Sequence, residues 1–249
     1  NESFKNNDRT LMVISTKAIV LSKIKYNDND LIVKCYTAAL GVKSYIIKNA
    51  LKSKKGKLRP AYFQLLTLLE IEAEHKDNRS LHYFKEVRLY KPYESLHTNI
   101  FKSTVLLFLA EILSMILNEE EANTPLFEYL ETTLLWFDAV EKTGAFHHQF
   151  LMGLTRFLGI NPDINNSFLP YFNLENGNFQ AYNGAHCVTG TKLELLKPFL
   201  GTKFDTLVAQ EFNSSQKHEL LSMILDYFKL HLHTFKNPKS LTVLNQVYS

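Results

Sequence analysis

Eight basic residues fall between Leu31 and Leu69: Lys34, Lys43, Lys48, Lys52, Lys54, Lys55, Lys57 and Arg59. No Asp or Glu interrupts that span. Its densest part is the run Lys52-Ser53-Lys54-Lys55-Gly56-Lys57-Leu58-Arg59. Cations at this density attract a sugar-phosphate backbone through charge and through counterion release. Five or six phosphate contacts would give a single-strand salt slope of about −4, at roughly 0.7 per contact. The same residues also describe a plain solvated surface, so placement has to decide between the two. Tyr26, Tyr36, Tyr45 and Tyr62 lie in or beside this region and could offer stacking faces, worth about 1–3 kcal/mol per base. For any single one of them, packing in a core or at a sheet edge is the better expectation.

A second stretch carries the opposite charge. From Ser103 to Glu141 there are eight acids and no Lys or Arg: Glu111, Glu119, Glu120, Glu121, Glu128, Glu131, Asp138 and Glu141. They read as a solvated helix face, with Glu119-Glu120-Glu121 in a helix–helix loop, and a nucleic acid should avoid them. The net charge of +3 hides this polarity, because 28 basic residues nearly cancel 25 acidic ones.

Other chemistries find little support. The nine glycines are never spaced as GxGxxG or GxxxxGK, so neither phosphate-cradling loop is present. There is no GxSxG and no HExxH. His147-His148 are adjacent, and His231 and His233 are two apart, both poor spacings for joint ligation from a helix. His186-Cys187 has no second cysteine nearby, since the only other one is Cys35. No zinc site, no cofactor and no enzyme activity are therefore expected.

The elements that must position the basic run come next. Thr16 to Tyr26, Leu31 to Tyr36, Val42 to Ile47, Tyr62 to Glu74 and Leu81 to Leu89 read as five short strands. The polar turn Asn27-Asp28-Asn29-Asp30 and Gly41 punctuate them. Such spacing indicates a small antiparallel barrel, of OB or SH3-like type. From Tyr93 the period lengthens. Phe101, Val105, Phe108, Ile112 and Ile116 recur at helical spacing, as do Phe127, Leu130, Leu134 and Phe137 after Thr124-Pro125. A third helix is read over Phe146 to Leu158, ending at Gly159 before Pro162. Residues 160–190 look irregular or like a small hairpin. Helices return over Lys192 to Leu200, Gln216 to His233 and Ser240 to Val247. The 249-residue chain thus reads as α+β: a soft leader over 1–11, with Met12 a possible natural start, a barrel over 12–90 and a helical domain over 91–249. The longest greasy stretch, Thr104 to Leu117, holds Glu111 and is shorter than the roughly 20 residues of a membrane span, and no signal-peptide core precedes Met12. Two cysteines suit a reducing cytosol.

Several segments in order resemble the bacterial RecO family. They are Ser15-Thr16-Lys17-Ala18-Ile19-Val20-Leu21, Tyr26, Asn29-Asp30-Leu31-Ile32-Val33, Thr37, Gly41 and the basic loop before Leu65-Leu66. Phe150 to Asp163, with Leu158-Gly159 and Pro162-Asp163, is similar to the family's middle helix and its exit. Lys236 to Val247, with Lys239-Ser240 and Val243-Leu244, resembles its last turn and helix. The resemblance implies a five-stranded OB-fold barrel followed by a helical domain with a zinc-finger-like insert. It implies a cytoplasmic, nucleoid-associated recombination mediator, a monomer on its own, that binds single- and double-stranded DNA and anneals complementary strands. RecR, the recombinase RecA and the acidic tail of single-stranded-DNA-binding protein are the implied partners. Lys52, Lys54, Lys55, Lys57 and Arg59, supported by Lys43 and Lys48, are the expected phosphate contacts, and Lys142 and Arg156 the expected rim for the acidic tail. Two departures stand out. The insert, roughly Asn165 to Gly190, keeps only Cys187 where many members carry four cysteines, so a metal-free version is expected. Gly153 stands where the middle helix often bears an Arg, and Arg156 one turn later is the substitute candidate. The alternatives are a generic OB module for single-stranded DNA or RNA, and a protein-interaction scaffold.

Overall fold

The computed structural model describes residues 12–50, 59–76, 79–118, 120–141, 144–201 and 212–247. It divides into two compact units, one holding residues 1–93 with 117–127 and the other 94–116 with 128–249.

The first unit is a closed five-stranded barrel of order β1-β2-β3-β5-β4, with β1 Met12–Tyr26, β2 Asp30–Thr37, β3 Gly41–Ile47, β4 Leu68–His75 and β5 Leu81–Leu89. Closure depends on β1, which takes two partners in succession. Met12 to Ile19 pair with β4, and Ala18 to Tyr26 pair with β2. A bulge between Val20 and Ser22 bends the strand at the hand-over. There the Val20 N–H bonds to the Thr67 carbonyl, and the Leu66 N–H to the Val20 carbonyl at 2.7 Å. The parallel pair β3–β5 completes the ring. Gly41 begins β3 at φ +62, a left-handed turn that glycine enters without steric cost.

Strict alternation sends Leu69, Ile71 and Ala73 of β4 inward, with Val33, Cys35, Tyr45 and Ile47 facing them in one buried cluster. Tyr45, Phe84 and Phe63 stack through its centre, with ring centroids 4.2 and 5.5 Å apart. Tyr62 packs on this cluster from a 3-10 turn, Pro60–Phe63. The run expected as one strand from Tyr62 therefore begins only at Leu68, because Pro60 starts a turn and Leu66 reverses the chain at φ +57.

The second unit is helical: α1 Ile100–Ile116, α2 Thr124–Ala139 (whose first turn belongs to the barrel's unit), α3 Phe146–Leu154, α4 Gly190–Leu196, α5 Ser214–His231 and α6 Leu241–Val247. Its core stacks Phe137 on Phe146 at 3.8 Å, nearly parallel. The third helix is shorter than its periodicity implies. After Leu154 the chain tightens into i→i+3 bonds, Leu154 to Phe157 and Thr155 to Leu158, and turns at Gly159. Pro198 likewise ends α4 early and leaves Lys197–Phe199 as a 3-10 turn. A capping box between Asn213 and Gln216 starts α5. The insert is a three-stranded sheet of order β7-β6-β8, built from β6 Tyr171–Asn173, β7 Asn178–Gln180 and β8 Cys187–Val188. Phe172 and Phe179 pack edge to face in it.

Two of the eight acids expected on a solvated face are structural anchors instead. Asp138 accepts the N–H groups of Glu94 and Ser95 at 2.8 Å and of Leu96 at 3.0 Å. Lys102 bonds the Asp138 carbonyl and the Ser95 hydroxyl beside it. Glu111 accepts the N–H groups of Lys239 and Ser240 at the start of α6. Burial alone would raise both carboxyls, yet these bonds hold them below their ordinary range. Their stabilisation is present above pH about 4 and is lost as pH falls through the depressed folded values. Asp138→Asn should lower stability by about 2 kcal/mol. An unchanged denaturant midpoint would show that the 94–96 turn is held by other means.

Candidate nucleic-acid interface

Cross-strand register defines the barrel's outer faces. Leu31, Val33, Tyr45 and Ile47 point inward, so their neighbours point out. Ile24 lies opposite Ile32, Ile32 opposite Ile46, and Ile46 beside Tyr83. This makes an apolar row across four strands, open at its Ile24 end, where Ile24 is 57% exposed. The next row is polar on three strands, Ser22–Lys34–Ser44, and ends on Leu81. Lys48 stands just past β3 with its ammonium 5.7 Å from the Tyr83 ring centre. The turn that carries it is tied down where the Asn49 N–H bonds the Asp30 carboxylate at 2.8 Å. Beyond the apolar row the β1–β2 hairpin carries exposed Lys23, Lys25 and Tyr26.

The opposite side of the ring carries the opposite charge. β4 has β5 and β1 as neighbours, so it lies across the barrel from β2 and β3. Its outward residues are Glu70, Glu72 and Glu74, and Glu86 of β5 sits directly opposite Glu72. Arg88 pairs with Glu86 at 2.8 Å, so part of this charge is compensated. Acids thus share the outer face of β4, while among the described residues Lys34 faces outward on β2 and Lys48 stands exposed just past β3.

The expected site residues are placed as follows. Lys48 and Arg59 are exposed, and Arg59 precedes the Pro60 turn. Lys43 is half-buried at the barrel end and forms an ion pair with Glu120. Lys52, Lys54, Lys55, Lys57 and Lys142 lie outside the described residues. Arg156 is exposed after α3. Gly153 cannot carry a side chain there without rearrangement. A Cβ would lie 2.4 Å from the Tyr129 hydroxyl, which bonds the Phe150 carbonyl at 2.7 Å. Of the four tyrosines, Tyr45 is in the core, Tyr36 is covered and Tyr62 packs on the core, which leaves Tyr26 with an open face.

Sequence reading missed the Ile24–Tyr83 row, Tyr83, Lys23 and Lys25. The available signal was the Lys23-Ile24-Lys25-Tyr26 alternation, in which neither face is needed for the core. Cys35 is buried, and burial pushes its thiol far above the ordinary value; Cys187 is also a free thiol. Among the described residues no group of three His, Cys, Asp or Glu is arranged to hold a metal ion. No helix among them is long and apolar enough to cross a membrane.

The barrel end near Lys43 also buries two histidines. His75 and His82 stack at 4.2 Å, and His75 Nε2 lies 3.3 Å from the Tyr45 hydroxyl. Burial, then the mutual proximity of the two rings and Lys43, lowers His75 to about 4, and burial lowers His82 too. In the helical unit His147 and His148 are buried and lowered in the same way, His148 to about 4. Neutral buried histidines bind fewer protons folded than unfolded, so stability falls as pH drops from about 6.5 toward 4. Melting temperature should therefore decline across that window in the intact chain, and less steeply in His75→Gln; identical pH profiles would remove His75 from the account.

An OB-fold barrel followed by a helical unit with a small sheet insert is a defined class of two-part protein, and comparison with known proteins narrows it. Residues 12–93 match the family profile Recombination protein O N terminal, and residues 97–241 match Recombination protein O C terminal. The chain is 44% identical over 238 residues to DNA repair protein RecO of Christiangramia forsetii, covering 95% of this chain and all of that protein. It is 42% identical over 238 residues to DNA repair protein RecO of Flavobacterium psychrophilum, covering 96% and 100%. It is 34% identical over 242 residues to that of Bacteroides fragilis, covering 95% and 100%. The chain belongs to the RecO family.

Proposed function

We propose that this chain is a DNA-repair recombination mediator. It binds single- and double-stranded DNA, aligns and anneals complementary strands, and helps load recombinase onto strands coated with single-stranded-DNA-binding protein. The observation that carries the reading is the sorting of charge, with exposed Lys48 just past β3 and exposed Arg59 before the Pro60 turn, and Glu70, Glu72 and Glu74 outward on β4, across the ring from β2 and β3. A polyanion is drawn to one side and repelled from the other, which gives the strand a defined path. Exposed Ile24 and half-buried Ile32 and Tyr83 supply apolar surface for bases, with Lys48 beside Tyr83.

Lys52, Lys54, Lys55 and Lys57 extend the cationic side as phosphate contacts in this reading. RecR and the acidic tail of single-stranded-DNA-binding protein are its partners, with Lys142 and Arg156 at the tail's rim. The work is binding and alignment, with no bond broken and no nucleotide hydrolysed. It takes place in the cytoplasm, on nucleoid DNA.

Annealing of two complementary labelled oligonucleotides, bare and coated, tests the reading across a salt series without ATP. Duplex formation faster than the spontaneous rate, and slowed by salt, is expected. Binding without annealing would reduce the reading to a nucleic-acid module, and no binding at low salt would leave a scaffold. Replacing Lys52, Lys54, Lys55 and Lys57 together by Ala should weaken binding to every sequence and flatten the single-strand slope by about 3, at roughly 0.7 per lost contact. An unchanged slope would exclude those four as phosphate contacts. Tyr83→Ala should weaken single-strand binding by about 1–2 kcal/mol while leaving the slope unchanged, since stacking releases no counterion.

A further inference from the structure

The α1–α2 connection, residues 117–127, belongs to the same compact unit as the barrel. It lies on the β2–β3 side. The Lys34 ammonium reaches the Leu117 carbonyl at 3.4 Å and the Asn118 side chain at 3.5 Å. The Tyr36 hydroxyl bonds the Asn123 carbonyl at 3.3 Å, and Phe127 stacks over the Tyr36 ring at 6.0 Å. Glu120 forms an ion pair with Lys43, the Lys side chain 14% exposed and the Glu side chain 74% exposed. Both described lysines within β2 and β3 are thus held by this one segment. Tyr36, which faces outward by register, is buried for the same reason.

We propose that the 117–123 connection is a built-in competitor for nucleic acid, in which Glu120 occupies on Lys43 the place of a backbone phosphate and is displaced when a strand is bound along the full β2–β3 side. The inference rests on the DNA-binding reading above and adds its regulation. A carboxylate and a phosphate oxygen present the same charge-assisted acceptor to an ammonium. Most of Glu120 is in water, so its hold on Lys43 is weak and screened by salt, as displacement requires. The backbone contacts at Leu117 and Asn123 keep the carboxylate near its lysine, so it returns when the strand leaves. Lys48, Arg59 and the Ile24–Tyr83 row stand outside these contacts, which leaves them as the first point of attachment.

Binding of a labelled 30-nucleotide oligo-dT to the full chain, followed by fluorescence anisotropy across a salt series, tests this. Glu120→Gln keeps the side chain's shape and removes its charge. It should tighten binding by about fivefold at low salt, from an exposed pair's upper limit of about 1 kcal/mol, with the slope unchanged because Lys43 meets a phosphate in both complexes. Glu121→Gln removes the same charge from the neighbouring exposed residue and controls for general repulsion. It should tighten binding less and leave the slope unchanged. Lys43→Ala alone should change little, whereas Lys43→Ala added to Glu120→Gln should cancel the gain. Equal effects of Glu120→Gln and Glu121→Gln, or a gain that survives loss of Lys43, would overturn the proposal while leaving the DNA-binding reading intact. Absence of binding by every variant at low salt would instead overturn the DNA-binding reading itself. Melting temperatures of all four variants should match the parent, which keeps a folding defect from imitating either result.

Discussion

The barrel exists because one strand serves two neighbours. β1 pairs first with β4 and then with β2, and the Val20 bulge is the point where it changes partner. A bulge adds local twist and bends the strand, which a five-stranded ring needs if it is to close. The Thr67 and Leu66 backbone bonds to Val20 hold that bend from the chain's other side. Everything called a face in this protein follows from this closure. With the ring closed, alternation along each strand has only two meanings, inside and outside.

Those two meanings turn a linear charge pattern into a spatial one. β4 reads Leu-Leu-Glu-Ile-Glu-Ala-Glu-His, and its apolar positions must face the Tyr45–Phe84–Phe63 stack. The three glutamates therefore share the outer face. The same rule turns the Ile24–Tyr83 row and Lys34 to the outer side, because Leu31, Val33, Tyr45 and Ile47 have taken the inside. Strand order then puts β4 across the ring from β2 and β3. The acids of β4 thereby face away from β2 and β3.

Acidic residues do a different job in the helical unit. Asp138 and Glu111 end backbone segments whose N–H groups have no helical partner, and they do so with carboxylates rather than neutral caps. Burial and hydrogen bonding pull their proton affinities in opposite directions, and the bonds prevail. The buried histidine pairs show the contrasting case, in which burial is opposed by little and the neutral form is retained. Both arrangements favour neutral over acidic solution, for opposite chemical reasons.

Period and composition by themselves determined the strand-rich first third, the helical remainder, and where the basic and acidic blocks fall along the chain. They did so because a two-residue or 3.6-residue repeat of apolar side chains is a local demand of the core. The ordered RecO-like segments were likewise legible in the chain. Element ends were legible only where punctuation was strong, as at Thr124-Pro125. Leu68 and Leu154 were not, since Leu66 adopts a left-handed turn that no leucine advertises, and the 154–158 turns keep a helix-like spacing. What only the tertiary structure decided was pairing across distance. Nothing local shows that Glu120 meets Lys43 across 77 positions, that Asp138 caps the turn before α1, or that Tyr129 fills the space beside Gly153. Such contacts depend on which strands adjoin and which loop returns to them, and that is a property of the closed ring and the packed helices.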